Sequence, residues 1–196
     1  MTNLLKTGDT YKFSHVGLLP KGTTHVHAYL SSRGGAYDEL PFNGLQYILQ
    51  EKFADLEAGH YGDLHVREAA AKAKLHGMPY PLQQMAHMIE KHDGKLPLAI
   101  NALPEGTIAK PHDVLLNISN TDPEFPWLVG MMGEHLTKLW YPITVAAKAR
   151  SVKKILEPYY RDTSDNPDAI DFAYHNMGDR ACTSDEQAAI GGLAHL

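Results

Sequence analysis

Between Pro20-Lys21-Gly22 and Arg33-Gly34-Gly35 lies one run, residues 24–30, whose residues alternate in character. Val26, Ala28 and Leu30 share one parity, and His25, His27 and Tyr29 share the other. A period of two predicts a half-buried strand, and the turn residues on both sides bound it. Two apolar runs, residues 96–103 and 114–119, are punctuated by Pro104-Glu105-Gly106 and Lys110-Pro111-His112-Asp113. They predict antiparallel sheet.

The segments between and after these runs have helical rhythm. Residues 42–53 place Leu45, Ile48, Leu49 and Phe53 at helical spacing. Residues 64–75 are rich in Ala and Lys, good helix formers, and Gly77 stops them. Residues 81–92 open on Pro81 and end at Asp93-Gly94, the expected asymmetry of helix ends. Asp122-Pro123 opens a further helix to about residue 141, Pro142 interrupts it, and another runs from 144 to about 160. After a loop at 162–167, residues 170–174 predict a short strand and 175–180 its exit. Thr183 or Ser184 caps a helix from Asp185, with Glu186 completing a capping box if Thr183 is the cap. One strand and one helix make a β/α unit, and a parallel strand needs a neighbour reached by a crossover. The C-terminal end therefore reads as an unfinished α/β structure.

Composition narrows the class. The 196 residues carry 18 Lys+Arg against 23 Asp+Glu, a net charge of −5, with a pI near 6.2. At 43% hydrophobic and 21% charged, the chain is not of the weakly hydrophobic, highly charged kind that stays disordered. Its acidity argues against a nucleic-acid binder working by phosphate neutralisation. The single cysteine, Cys182, forms no intrachain disulfide and no Cys-x-x-Cys motif, which fits a reducing compartment. No apolar run approaches the ~20 residues of a membrane helix, and no signal-peptide pattern opens the chain. The expectation is a cytoplasmic protein without nucleic-acid or membrane partners.

Longer blocks carry a resemblance. Asp9-Thr10-Tyr11-Lys12-Phe13-Ser14-His15, Pro20-Lys21-Gly22-Thr23-Thr24-His25-Val26 and Ser32-Arg33-Gly34-Gly35 are followed by Gly44-Leu45-Gln46-Tyr47-Ile48-Leu49 and Asp93-Gly94-Lys95-Leu96-Pro97-Leu98. Next come Pro104-Glu105-Gly106-Thr107, Asn120-Thr121-Asp122-Pro123-Glu124-Phe125-Pro126-Trp127-Leu128 and Trp140-Tyr141-Pro142-Ile143-Thr144-Val145-Ala146. Lys153-Lys154-Ile155-Leu156, Thr163-Ser164-Asp165 and Ala189-Ile190-Gly191-Gly192-Leu193-Ala194-His195-Leu196 close the series. In order and spacing these blocks resemble the start of the nicotinamide phosphoribosyltransferases, type II phosphoribosyltransferases that join nicotinamide to the ribosyl phosphate of PRPP. The products are nicotinamide mononucleotide, for NAD synthesis, and pyrophosphate. The resemblance covers the whole chain but well under half of the family's usual length.

It implies an α/β fold: an α+β-like dimerisation domain over residues 1–165, then the first β/α unit of an incomplete barrel over 166–196. It also implies four substrate-binding positions. Tyr11 matches the tyrosine that stacks on nicotinamide in a neighbouring subunit's site. Arg33 matches an arginine that reaches the partner's site and binds phosphate, a task suited to a guanidinium fork. Arg180 matches an arginine at the end of the first barrel strand that contacts nicotinamide and phosphate, and strand ends are where barrel sites are built. Met177 stands where the family has the second aromatic wall. Methionine packs on rings through polarizable sulfur but forgoes the ~0.5–1.5 kcal/mol of an aromatic pair. Asn176, Asp179 and Ala181 also depart from the family pattern, which has aspartate, an aromatic or small residue, and glycine there. The phosphorylatable histidine and the Asp/Arg cluster of the family have no matching position, so no catalytic residue is assigned.

Other groupings carry less. His25 and His27 could form a two-ligand metal arm, but no third ligand is fixed by the sequence and no metal site is assigned. His175 reads as structural support, and Cys182 as a small packing residue without a base partner. Lys148, Arg150, Lys153 and Lys154 form a basic stripe that reads as a solvated face. The resulting expectation is an obligate assembly, either a homodimer or a complex with a separate chain carrying the C-terminal half. Assembled, it would bind nicotinamide and PRPP, with magnesium accompanying PRPP in the complete enzyme. The isolated chain is expected to bind no cofactor and to be inactive. The alternative is a non-catalytic truncated relative with a structural or regulatory binding role; a fragment of an interrupted gene is a third reading.

Overall fold

The computed structural model describes residues 3–195. They form two compact units, each built from separate stretches of chain. The first gathers the described residues through Leu30 with Gln46–Ala102 and Leu116–Lys138. The second gathers Ser31–Leu45, Leu103–Leu115 and the described residues from Leu139 onward. Helix and strand mix in the α/β manner expected.

In chain order the strands are β1 (His27–Ser31), β2 (Leu40–Pro41), β3 (Leu98–Ala102), β4 (Ile108–Ala109) and β5 (Val114–Asn120). The sheet of the first unit has the order β1-β5-β3. β3 and β5 are antiparallel as expected, with Leu98 opposite Asn120 and Ala102 opposite Leu116. The alternation over 24–30 holds: Val26, Ala28 and Leu30 are half-buried, and His25, His27 and Tyr29 are exposed. Strand pairing starts later than that pattern, at His27. Upstream, the Asn120 side chain takes the place of a ladder. Its Oδ1 accepts from Val26 N–H at 2.8 Å, and its Nδ2 donates to Thr24 O at 2.8 Å.

Helices lie between and after these strands in sequence. Residues 45–57 are continuous: α1 (Leu45–Ile48), a π turn (Leu49–Phe53) and α2 (Ala54–Glu57). Then come α3 (Asp63–Leu75), α4 (Leu82–Lys91) and α5 (Leu128–Leu136). α3 ends in a Schellman motif. Met78 N–H reaches Ala73 O at 2.9 Å and Gly77 N–H reaches Lys74 O at 3.0 Å, with Gly77 left-handed at φ 65°. In α4, Met85, Met88 and Ile89 face the core. α5 begins later than Asp122-Pro123 predicted. Asp122 Oδ1 accepts Glu124 N–H at 2.9 Å and its carbonyl accepts Phe125 N–H at 3.2 Å, which closes a separate turn first.

The second unit holds the two-stranded antiparallel β2–β4 sheet, α6 (Trp140–Thr163) and α7 (Asp185–His195). Phe42, expected at the start of a helix, instead prolongs the β2–β4 pairing. Its N–H donates to Thr107 O and its carbonyl accepts Gly106 N–H, both at 2.8 Å. The expected break at Pro142 lies earlier, in a 3₁₀ turn over Thr137–Leu139. Pro142 sits in the first turn of α6, where a missing N–H forfeits no intrahelical bond. Of the two candidate caps of α7, Ser184 is used. Its Oγ accepts Gln187 N–H at 3.2 Å, and Gln187 Oε1 accepts Thr183 N–H at 3.0 Å.

The strand expected over 170–174 does not form. Residues Pro167–Phe172 make a 3₁₀ helix. Ala169 N–H to Asn166 O at 3.1 Å and Ala173 N–H to Ile170 O at 3.0 Å satisfy the backbone locally. A strand gains its bonds only from a paired neighbour, and a proline at the first helical position favours the turn. Among the described residues no helix is long and apolar enough to cross a membrane.

Candidate functional site

Arg33 and Arg180 stand out by what they lack. Every other arginine is ion-paired: Arg67 with Asp63, Arg150 with Glu39 and Arg161 with Asp162. Arg33 and Arg180 are exposed and make no hydrogen bond or ion pair among the described residues. An uncommitted guanidinium presents its full donor fork to an incoming oxyanion.

The backbone under each is nevertheless fixed. Ser32 Oγ accepts Gly34 N–H at 3.1 Å, and Ser32 O accepts His112 N–H at 3.1 Å. This brackets Arg33, with Gly34 left-handed at φ 91°. Around Arg180, Ala181 N–H reaches Gly178 O at 2.9 Å and Cys182 N–H reaches Asp179 O at 3.1 Å, closing the 3₁₀ turn Asp179–Ala181. Asn176 ties this turn to α7. Its Oδ1 accepts Gly178 N–H at 2.9 Å, and its Nδ2 donates to Gly191 O at 3.2 Å.

Met177 lies on the same segment, 67% exposed. Beside it opens a cleft of about 460 Å³ lined by Tyr141, Asn176, Asp179, Cys182 and Asp185. Neither Met177 nor Arg180 lines it. Tyr141 Oη meets Cys182 Sγ at 3.8 Å, and burial together with this contact pushes the Tyr141 hydroxyl up from its ordinary value. No local pattern marks the Tyr141–Cys182 pair, which joins residues 41 apart. Arg33 shares no hydrogen bond, ion pair or ring contact with this segment.

Tyr11 belongs to the first unit. It stands in the 3₁₀ helix Thr10–Gly17 and is 49% exposed. It lines a groove of about 360 Å³ with Asp9, Lys12, Tyr29 and Glu134. Its ring lies 5.3 Å from that of His15, and Lys12 Nζ is 5.5 Å from the ring centroid. Desolvation, followed by the Asp9 carboxylate and Glu134, raises its phenol from the ordinary value.

The basic stripe on α6 is largely spent internally. Lys154 and Arg150 both hold Glu39, in that order of strength keeping its carboxyl below the ordinary carboxylate range. Lys153 pairs with Asp171. His25 and His27 are exposed, with His25 Nδ1 3.1 Å from Thr24 Oγ1. No three His, Cys, Asp or Glu side chains converge as a metal centre among the described residues.

Residues 3–100 match the family described as nicotinamide phosphoribosyltransferase, N-terminal domain. The chain is 36% identical over 197 residues to the nicotinamide phosphoribosyltransferase of Xanthomonas campestris pv. campestris (strain 8004), covering 100% of this chain and 41% of that protein. It is 29% identical over 209 residues to that of Acinetobacter baylyi (strain ATCC 33305 / BD413 / ADP1), covering 99% and 41%. The fold is similar to the crystal structure of human nicotinic acid phosphoribosyltransferase. The TM-score is 0.50 at 20% identity, over 72% of this chain and 27% of that one. The chain therefore spans about two fifths of the length of these two curated relatives (41% of each).

Proposed function

The chain belongs to the nicotinamide phosphoribosyltransferase family, and from that premise we propose that it supplies the N-terminal part of an enzyme joining nicotinamide to PRPP. In this reading Tyr11 stacks on the nicotinamide ring, and Arg33 and Arg180 bind phosphate. Met177 packs beside the ring as a softer wall. Residues 166–196 open the barrel domain, and a second chain, or the partner in a homodimer, completes the pocket. The isolated chain makes no nicotinamide mononucleotide. Residues supplied by the partner would meet any ion that accompanies PRPP.

The observation that carries this reading is the pair of uncommitted guanidiniums. The two arginines the resemblance assigns to phosphate are the two without a hydrogen bond or ion pair among the described residues, on backbone that is itself well anchored.

The test is co-purification from the native host, followed by an assay of nicotinamide mononucleotide formation from nicotinamide and PRPP. The chain is assayed alone, with its partner, and with its partner after Arg180→Ala. Activity is expected only for the unsubstituted assembly. Turnover by the pure chain, lost on Arg180→Ala, would overturn the requirement for a partner.

One observation favours a second reading, a non-catalytic relative with a structural or regulatory role. Asn176, where the family has an aspartate, spends both ends of its side chain on Gly178 and Gly191. A partner that restores no turnover, yet co-purifies in stoichiometric amount, would select this reading.

A further inference from the structure

Glu134 sits in the last turn of α5, and the family reading gives it no task. Its Oε1 accepts Asp9 N–H at 3.0 Å. Its Oε2 is buried with no hydrogen-bond partner. A buried acceptor without a partner is costly enough to need an explanation. The geometry at Gly8 supplies one. Gly8 has φ +102°, and a Cβ built on it would lie 1.4 Å from Glu134 Oε1. The carboxyl therefore occupies the space a side chain would take, and its buried position follows from that close seat on the Gly8–Asp9 backbone.

This seat ends two residues before Tyr11. Asp9 is the N-cap of the Thr10–Gly17 helix, yet its side chain makes no capping bond. The turn begins on backbone alone, with Lys12 N–H on Asp9 O at 3.0 Å. Its entry is held from outside by Glu134. Glu134 and Tyr11 line the same groove, and Glu134 is one of the groups that raise the Tyr11 phenol.

We infer that Glu134 is a positioning residue for Tyr11: by clamping the Gly8–Asp9 backbone it sets the direction in which the Tyr11 ring leaves the protein. The inference rests on the reading in which Tyr11 meets the nicotinamide ring, and it adds the residue that aims it.

The test uses the full chain labelled with [13Cζ]tyrosine, with the Tyr11 signal assigned through Tyr11→Phe. Glu134→Gln keeps an acceptor for Asp9 N–H. It is expected to leave the neutral-state Tyr11 signal in place while lowering its titration midpoint, because a negative neighbour is gone. Asp9, Lys12 and His15 remain around the ring and are unchanged in this variant. Glu134→Ala and Gly8→Ala are expected to move the Tyr11 signal to that of a freely rotating tyrosine, with Tyr61 and Tyr80 unmoved. If Glu134→Ala fails to fold, Glu134→Asp, one methylene short, is read in its place with the same expectation. A Tyr11 signal and midpoint unchanged across these variants overturns the inference. So does a Gln variant that displaces Tyr11 as far as Ala does, since rescue by the remaining acceptor is then absent.

Ligand turnover separates the two claims. If Glu134 controls the Tyr11 signal but Tyr11→Ala leaves the assembled enzyme's KM for nicotinamide unchanged, the family reading fails and the positioning stands. If Tyr11→Ala raises that KM and Glu134→Ala does not, the positioning fails.

Discussion

Gly44→Ala is expected to destabilise the second unit well beyond an ordinary turn glycine. Two separate penalties act there. Gly44 has φ +97°, and a Cβ on it would lie 2.7 Å from Pro142 Cγ and 3.0 Å from Pro142 Cβ. A side chain on left-handed backbone costs about 1–2 kcal/mol. Pushing aside a proline ring that has no rotamer to escape into adds about 1–3 kcal/mol. Together, about 2–5 kcal/mol lowers Tm by roughly 5–15 °C in a chain of this length. Gly106 is the matched control. It lies in the same unit at φ +83° with nothing within 4 Å of its would-be Cβ, so Gly106→Ala carries only the backbone cost. The second readout is Cys182, the only cysteine. Pro142 stands in the first turn of α6 beside Tyr141, whose hydroxyl contacts the Cys182 thiol. A displaced turn should loosen that contact and speed modification of Cys182 by a thiol reagent, in Gly44→Ala and not in Gly106→Ala. Urea and thermal unfolding of both variants check the first part. Equal destabilisation within about 0.5 kcal/mol, the usual scatter of substitutions without a specific mechanism, would refute the packing argument.

His135 is buried in α5, and desolvation pushes it down from 6.5 to about 4. Its unfolded form protonates first, so stability should fall as pH drops from 6.5 towards 4, by about 3 kcal/mol at the lower end. His135→Leu should flatten that slope in urea unfolding at pH 7, 5.5 and 4.5; an unchanged slope would assign it elsewhere. Asp122, held to about 2 chiefly by Lys91, contributes stability above 3.8 that is lost as pH falls through 2. Asp122→Asn should therefore raise the acid-unfolding midpoint seen by circular dichroism. Ser184→Ala removes the cap of α7 and should cost about 1 kcal/mol, read as faster hydrogen exchange of the first α7 amides. Arg33→Ala and Arg180→Ala break no hydrogen bond or ion pair among the described residues, so each should move stability by less than about 0.5 kcal/mol while abolishing turnover of the assembly. A large Tm loss in either would reveal a structural role.

What could be read in advance was whatever a few neighbouring residues decide. The parity of Val26, Ala28 and Leu30, the Gly77 stop of α3 and the β3–β5 pairing all depend on local pattern, and all appear. The failures have a common physical form, in which a distant group outbids a local signal. Asn120 replaces the ladder ahead of His27. Thr107 and Gly106 draw Phe42 out of a helix into a long-range strand pair whose strands, at two residues each, are too short to show a period. Residues 170–174 had strand-like composition, but composition does not supply an edge to pair with, and Pro167 offered a turn that satisfies the backbone by itself. The candidate site divides in the same way. Tyr11, Arg33, Met177 and Arg180 were named from blocks of sequence, but no pattern marks an arginine as unpaired. That depends on where every carboxylate in the fold ends up: Glu39 on Arg150, Asp63 on Arg67, Asp162 on Arg161. Asp9, the acid two residues before Tyr11, is legible beside it. Glu134, which holds the turn from 125 residues away, is not. Its one trace in the sequence is Gly8, a residue without a side chain at the position where another residue's carboxyl needs the room.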